Sequence, residues 1–252
     1  MLHGPHGNRS NAVQRDGQLG MKLDMAGVSV MLAMPTHRDI PAGTVASLLA
    51  TQDLLTVKRV PFEVQLQVGN SLVTHARSKI AHTFLQSDKS LLFWVDSDIE
   101  WKAADFLRLC ALATKMDVVG GAYPAKKDPI TFFLDPSSGG EIESNEYGCL
   151  KIGGWGMGFT VVTRRVIEAL ADKSPKLKFN GVDEPIAHIF RCDEHNGYAR
   201  GEDMAFFADA KDLGFEAFLD PSITLGHIGS KTYTASIADM LRPIEGESDG
   251  TS

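Results

Sequence analysis

Two aspartates one residue apart, Asp96 and Asp98, close the segment LLFWVDSDIEW, directly after the apolar run Leu91–Val95. A short apolar run bounded by polar residues reads as a strand buried on both faces of an α/β sheet, with its C-terminal end opening on a ligand crevice. Where the chain leaves the sheet, successive side chains no longer have to point to opposite faces. Both carboxylates can then approach one hard divalent cation through oxygen, and Mg²⁺ or Mn²⁺ so held bridges to phosphate oxygens. The competing reading is a strand-end Asp that caps the next helix, with Asp98 solvated.

Two further features lie far from this dyad in sequence. Glu202 and Asp203, in GED, open a helical stretch, where acidic residues are also favoured simply by the helix dipole. His227, in LGHIGS, follows an apolar run, where a neutral imidazole often does no more than satisfy backbone groups. Its neighbours Gly226 and Gly229 remove side-chain bulk, which suggests close approach to a ligand.

The elements that must position these groups are readable from periodicity. Gly27–Met34 reads as a first strand delivering Pro35, Thr36 and His37 into a loop ahead of a helix near 43–51. Residues 61–68 alternate as a half-exposed strand does, and Asn70-Ser71 reads as the cap of a helix carrying the stripe Leu72, Ala76, Ile80 and Phe84. After the strand ending at Asp96 come a helix over about 103–114 and a short strand over 118–122. This alternation builds a mainly parallel sheet with its ligand site at strand C-termini. The second half is less regular. Short strands over 130–134 and 148–152 flank a turn-rich stretch, GGWGMG leads into a strand over 159–163 and a helix over 164–171, and 173–200 has little pattern. A helix over 202–213 stops at Gly214, and Phe206 and Phe207 on it read as core.

Composition narrows the field. The chain has 252 residues, 43% hydrophobic and 23% charged, enough for one good core. A net charge of -7 and a pI near 5.6 argue against broad charge-driven adhesion to nucleic acid or anionic lipid. Cys110, Cys149 and Cys192 are odd in number, widely spaced and without a CxxC pair, so neither a disulfide framework nor a zinc site is expected. No apolar run approaches a membrane span and no signal peptide is evident, so the expected location is the cytoplasm, a host's cytoplasm if the gene is a phage's. Residues 1–26 read as a disordered leader, 27–230 as a single catalytic domain and 231–252 as an acidic flexible tail.

In order and spacing, PTHRD, HARSKIAHTFL, LLFWVDSDIEW, VVGGAYPAKK, GGWGMGFTVVTRRVIEAL and GEDMAFFADAKDLGFEAFLDPSITLGHIG resemble the DxD-containing, nucleotide-sugar-dependent glycosyltransferases of the GT-A fold, family-2-like and of the small soluble bacterial or phage type. The resemblance covers about 28–230, with Ser78 standing where many relatives have Asn. It implies an α/β fold with a mainly parallel sheet flanked by helices and a small antiparallel sheet in the C-terminal half. It also implies that Asp98, with Asp96 directly or through water, holds Mn²⁺ or Mg²⁺ on the donor diphosphate, and that His227 completes the metal shell. Pro35, Thr36 and Arg77 then line the nucleotide pocket, Ser97 lies within the dyad, and Gly154 and Trp155 shape the sugar and acceptor pocket. In an inverting reaction Asp203 matches the position of the base, with Glu202 its local competitor. An unshifted Asp is a weak base and would act only late in the reaction.

The expected activity is therefore hexosyl transfer from a UDP-sugar to an acceptor left open among glycan, protein and modified nucleobase. A nucleotidyltransferase is the alternative enzyme, although PTHRDIPAG makes a poor triphosphate-gripping loop. A non-catalytic nucleotide-sugar binding module is the alternative outside enzymes. Lys126 and Lys127 read as solvated loop lysines, and Asp193, Glu194 and His195 as a polar surface cluster at most lipping an acceptor. Oligomeric state is left open.

Overall fold

The computed structural model of the chain describes residues 25–136 and 142–241. The expected leader falls almost wholly outside them, as does the end of the expected tail.

β1 (Val30–Thr36) is followed by α1 (Ala42–Lys58), β2 (Phe62–Val68), α2 (Val73–Gln86) and β3 (Leu91–Val95). β4 (Ile99–Glu100), α3 (Ala103–Leu112) and β5 (Val118–Gly120) complete the first half. Next come β6 (Leu134–Asp135), β7 (Leu150–Lys151), β8 (Gly154–Trp155), β9 (Phe159–Thr163) and α4 (Arg164–Lys173). Two small hairpins, β10 (Lys176–Leu177) with β11 (Ile186–Ala187) and β12 (Asp193–His195) with β13 (Tyr198–Arg200), occupy the stretch that shows little pattern in sequence. α5 (Glu202–Asp212), β14 (Ala217–Leu219), β15 (Thr224–Ile228) and β16 (Thr232–Ser236) follow.

The main sheet has the order β2-β1-β3-β9-β5-β14-β7. β1 pairs parallel with β2 and β3, and β5 with β14, while β9 runs antiparallel between β3 and β5 and β7 antiparallel along the edge. Five of the seven strands thus share one direction, and their C-terminal ends share one rim. Alternation along the buried strands divides the core. Met31, Ala33, Leu92, Trp94 and Val162 face Ile80, Phe84, Ile167 and Phe206 of α2, α4 and α5. Val30, Leu32, Phe93, Val95 and Val161 face Leu55, Phe106 and Leu109 of α1 and α3 on the other side. This is the α/β architecture, with a small antiparallel sheet toward the C-terminus, that the resemblance implies.

Three local expectations are corrected. Asn70-Ser71 does not cap α2, since Leu72 takes the N-cap position without a side-chain hydrogen bond. The tail does not begin at 231, because the alternating TYTAS of β16 pairs along β15, which in turn pairs with β4. His227 therefore lies inside a strand rather than in a loop after one. Among the described residues no helix is long and apolar enough to cross a membrane.

α5 is seated through Phe206, which stacks on Phe190 at 5.1 Å with planes 5° apart and is fully buried. Phe206→Ala is expected to lower stability by about 3–5 kcal/mol in denaturant unfolding. A loss under about 1 kcal/mol would mean that the site collapses onto the smaller side chain.

Candidate functional site

The C-terminal ends of β1 and β3, the starts of α2 and α5, and β15 enclose a hollow of about 310 Å³. Nine residues singled out in the sequence line it: Pro35, Thr36, Arg77, Asp96, Ser97, Asp98, Glu202, Asp203 and His227. Asn70 and Ser71, displaced from the capping role, line it too.

Arg77 lies at its floor, 1% exposed. Its Nη2 donates to Asp96 Oδ1 at 2.9 Å and lies 3.5 Å from Asp203 Oδ1, and its Nε lies 3.9 Å from Glu202 Oε1. Burial alone would lower the basicity of the guanidinium, but Asp96, Asp203 and Glu202 outweigh it and hold Arg77 above its ordinary value. Nε and Nη1 make no hydrogen bond, and neither does the buried Oγ1 of Thr36. These are buried polar atoms without a hydrogen-bond partner, in two residues that line the hollow.

Asp203 has the opposite balance. Burial raises its carboxyl, Arg77 lowers it, and the neighbouring Asp96 and Glu202 raise it again, leaving it at about 6. The backbone amide of Met157 donates to it, while Oδ1 accepts no hydrogen bond. Burial first, and the neighbouring carboxylates after it, thus hold Asp203 above the ordinary carboxylate range.

The two carboxylates of the dyad turn apart. The Asp96 carboxylate is turned to Arg77 and to the Tyr123 hydroxyl, which donates to Oδ2 at 3.3 Å. Asp98 instead faces His227, with Oδ1 3.6 Å from Nε2. His227 Nδ1 lies 2.8 Å from the Pro124 carbonyl, which can only accept, so Nδ1 carries the proton. Nε2 thus faces the Asp98 carboxylate, as a donor when the ring is protonated and with a lone pair when it is neutral. Lys126, read as solvated in sequence, donates to the other oxygen of Asp98. Burial raises Asp98, but His227 and Lys126 prevail and bring it to about 2.

Among the described residues no group of three or more His, Cys, Asp or Glu is placed to hold a metal ion. Asp98 and His227 could offer one carboxylate oxygen and one imidazole nitrogen to a divalent cation. Charge agrees. Asp96, Asp98, Glu202 and Asp203 are four carboxylates against the two fixed cations Arg77 and Lys126, a deficit of two.

Gly154 and Trp155 are not brought to the hollow. Trp155 is fully buried, tilted on Phe207 with ring centroids 4.5 Å apart, and its Nε1 donates to Thr160. The glycines of GGWGMG act as seats for other side chains. A Cβ on Gly154 would meet Phe207 at 2.7 Å, one on Gly156 the Tyr123 hydroxyl at 2.4 Å, and one on Gly158 the Asp96 carboxylate at 2.3 Å. The register of β9 against β3 puts Gly158 there, with the Asp96 amide bonded to its carbonyl. Gly226 likewise serves packing, between Glu100 and Thr232 of the flanking strands, and Gly229 clears the Lys126 stem. Asp193 is occupied by Arg200, at 2.8 and 2.7 Å, and by Arg191, which also reaches Asp209 on α5. It braces the hairpin over α5 and does not lip the site with a free carboxylate.

A second hollow, about 500 Å³, shares Glu202, Asp203 and His227 with the first and is otherwise lined by Tyr123, Ala125, Lys126, Phe133, Gly156, Gly201 and Met204. Sequence reasoning missed Tyr123 and Met204, which lie in the motifs AYPAKK and GEDM, and Phe133, which no motif marks.

No protein-family model matches the chain, and no curated protein sequence does. Among solved structures it is similar to GalNAc-T7 determined with UDP, GalNAc and Mn²⁺, at 13% identity over 82% of this chain and 45% of that one, TM-score 0.49. It is similar to a glycosyltransferase involved in glycosylation of the major capsid of PBCV-1, at 12% identity over 56% and 63% of the two chains, TM-score 0.29. It is also similar to 4-diphosphocytidyl-2C-methyl-D-erythritol synthase of Anaerococcus prevotii, at 12% identity over 61% and 79%, TM-score 0.36. The chain thus spans less than half the length of the first of these proteins.

Arg77→Met keeps most of the volume and removes the charge that three carboxylates share. It is expected to cost about 3–5 kcal/mol at about pH 8. The variant's Asp203 loses the neighbouring charge that lowers its carboxyl, so its folded value rises above about 6 and the deficit shrinks as pH falls through that range. Chemical denaturation at two pH values measures this, and a pH-independent deficit would uncouple Arg77 from these carboxylates.

Proposed function

We propose that this protein is a metal-dependent glycosyltransferase that moves a hexosyl group from a UDP-sugar to an acceptor hydroxyl with inversion. The observation that carries the reading is the meeting of two hollows at Asp203. One is rich in charge and unpaired donors, as a nucleoside diphosphate requires. The other is positioned to bring an alcohol to the same carboxylate.

On this reading Pro35 and Thr36 border the nucleotide, and Arg77 contributes positive potential at the floor. Asp98 and His227 would hold Mn²⁺ or Mg²⁺, which when bound supplies charge to the departing diphosphate. Asp203 accepts the acceptor's hydroxyl proton as the oxygen bonds to the anomeric carbon, and the bond from that carbon to the diphosphate oxygen breaks. Glu202 adds negative charge beside Asp203 and keeps its basicity up. The nucleotidyltransferase alternative gains nothing from a carboxylate base set between two hollows.

Two measurements test the reading. A rise in melting temperature is expected with one UDP-sugar only when Mn²⁺ is also present, and is expected to vanish in Asp98→Ala and on chelation. A rise that needs no metal would remove Asp98 and His227 from that role. Turnover should increase with pH through about 6 and then level, because the base is active only when deprotonated. Asp203→Asn should lose about two to four orders of magnitude in kcat while still binding donor. Retained anomeric configuration in the product would take the base role from Asp203.

A further inference from the structure

Lys126 stands between the two hollows. It lines the second, while its ammonium donates to an oxygen of Asp98, which lines the first. Arg77 is buried and held by three carboxylates, whereas the Lys126 side chain is 34% exposed and carries its charge on a flexible aliphatic stem. The backbone beneath it is pinned: the Ala125 amide donates to the Thr131 carbonyl at 2.8 Å, the Pro124 carbonyl meets His227, and Lys231 pairs with Asp128 at 2.6 Å. Gly229 leaves the stem its room, since a Cβ there would meet Lys126 Cδ at 3.1 Å. The side chain can therefore swing while its loop stays in place. Asp98 has two oxygens, one taken by Lys126 and one facing His227 Nε2 at 3.6 Å. An ammonium on one oxygen and a divalent cation on the other are like charges on a single carboxylate, so each weakens the hold of the other. A diphosphate in the donor hollow offers the ammonium a new anionic partner.

Resting on the glycosyl-transfer reading, we propose that Lys126 is an exchangeable counter-ion: it neutralises Asp98 while the donor site is empty, and passes to the donor's diphosphate when Asp98 is given over to a divalent cation. Metal and nucleotide then bind cooperatively. The nucleotide draws off the ammonium that opposes the metal, and the ammonium released from Asp98 is the one that the nucleotide uses.

Two binding measurements on the full chain test this without recourse to turnover. Mn²⁺ binding in the absence of nucleotide is read from the loss of the free ion's EPR signal, and UDP binding at saturating Mn²⁺ from equilibrium dialysis. Lys126→Met keeps the stem and removes the charge. It is expected to bind Mn²⁺ alone about tenfold more tightly than the wild type, and UDP with Mn²⁺ about tenfold more weakly. Lys126→Arg, which keeps the charge, should retain most of both wild-type affinities. Adding Asp98→Asn to Lys126→Met should abolish the gain in Mn²⁺ affinity, because the competition is for that carboxylate. A loop lysine that only attracts anions would weaken UDP and leave Mn²⁺ alone unaffected. Mn²⁺ that binds neither protein, or binds Lys126→Met no more tightly than the wild type, would overturn the proposal, as would an unchanged affinity for UDP. The two opposed shifts without sugar transfer from any UDP-sugar would uphold the exchange and defeat the glycosyl-transfer reading instead.

Discussion

The buried guanidinium of Arg77 is the group around which the site is organised. Burying a cation is costly unless opposite charges surround it, and here Asp96 from the end of β3 and Glu202 and Asp203 from the start of α5 do so. Trp94 and Phe190 lie 5.4 and 6.0 Å from its carbon and close the apolar side. One side chain on α2 thereby ties a strand end to a helix start more than a hundred residues away in sequence. Burial, together with the excess of negative charge that three carboxylates leave around one guanidinium, keeps Asp203 basic although an arginine is beside it.

Geometry then divides labour between two aspartates that look equivalent on paper. Asp96 is drawn inward by Arg77 and Tyr123, into space that Gly158 leaves by having no side chain. Asp98 points the other way, to His227 and Lys126. The split follows from the antiparallel insertion of β9 beside β3, which carries the glycine-rich segment along the C-terminal edge of β3.

The two hollows differ in kind because their walls come from different parts of the chain. The donor side is built by strand ends and helix starts, where unpaired backbone and polar side chains concentrate. The other is built by the loop after β5, the stretch before β6 and the first turn of α5, which contribute Phe133, Ala125 and Met204. Asp203 belongs to both because α5 begins at their junction.

Much of this was legible in the amino-acid order. The buried runs of β1 and β3, the stripe of α2 and the helix opening at Glu202 follow from periodicity, since apolar spacing records which face is hidden. Asp96, Asp98, Glu202, Asp203 and His227 could be named from residue type and position, whereas Pro35, Thr36, Arg77 and Ser97 came through the resemblance. Sequence alone could not say that Trp155 faces the core, that Gly154, Gly156 and Gly158 seat Phe207, Tyr123 and Asp96, or that Lys126 reaches Asp98. Nor could it reveal that TYTAS continues the sheet beside β15. Local sequence thus determined the elements and the kinds of groups at their ends. The tertiary fold alone decided which carboxylate meets which cation and how basic Asp203 becomes, because those depend on distances and burial between segments far apart in the chain.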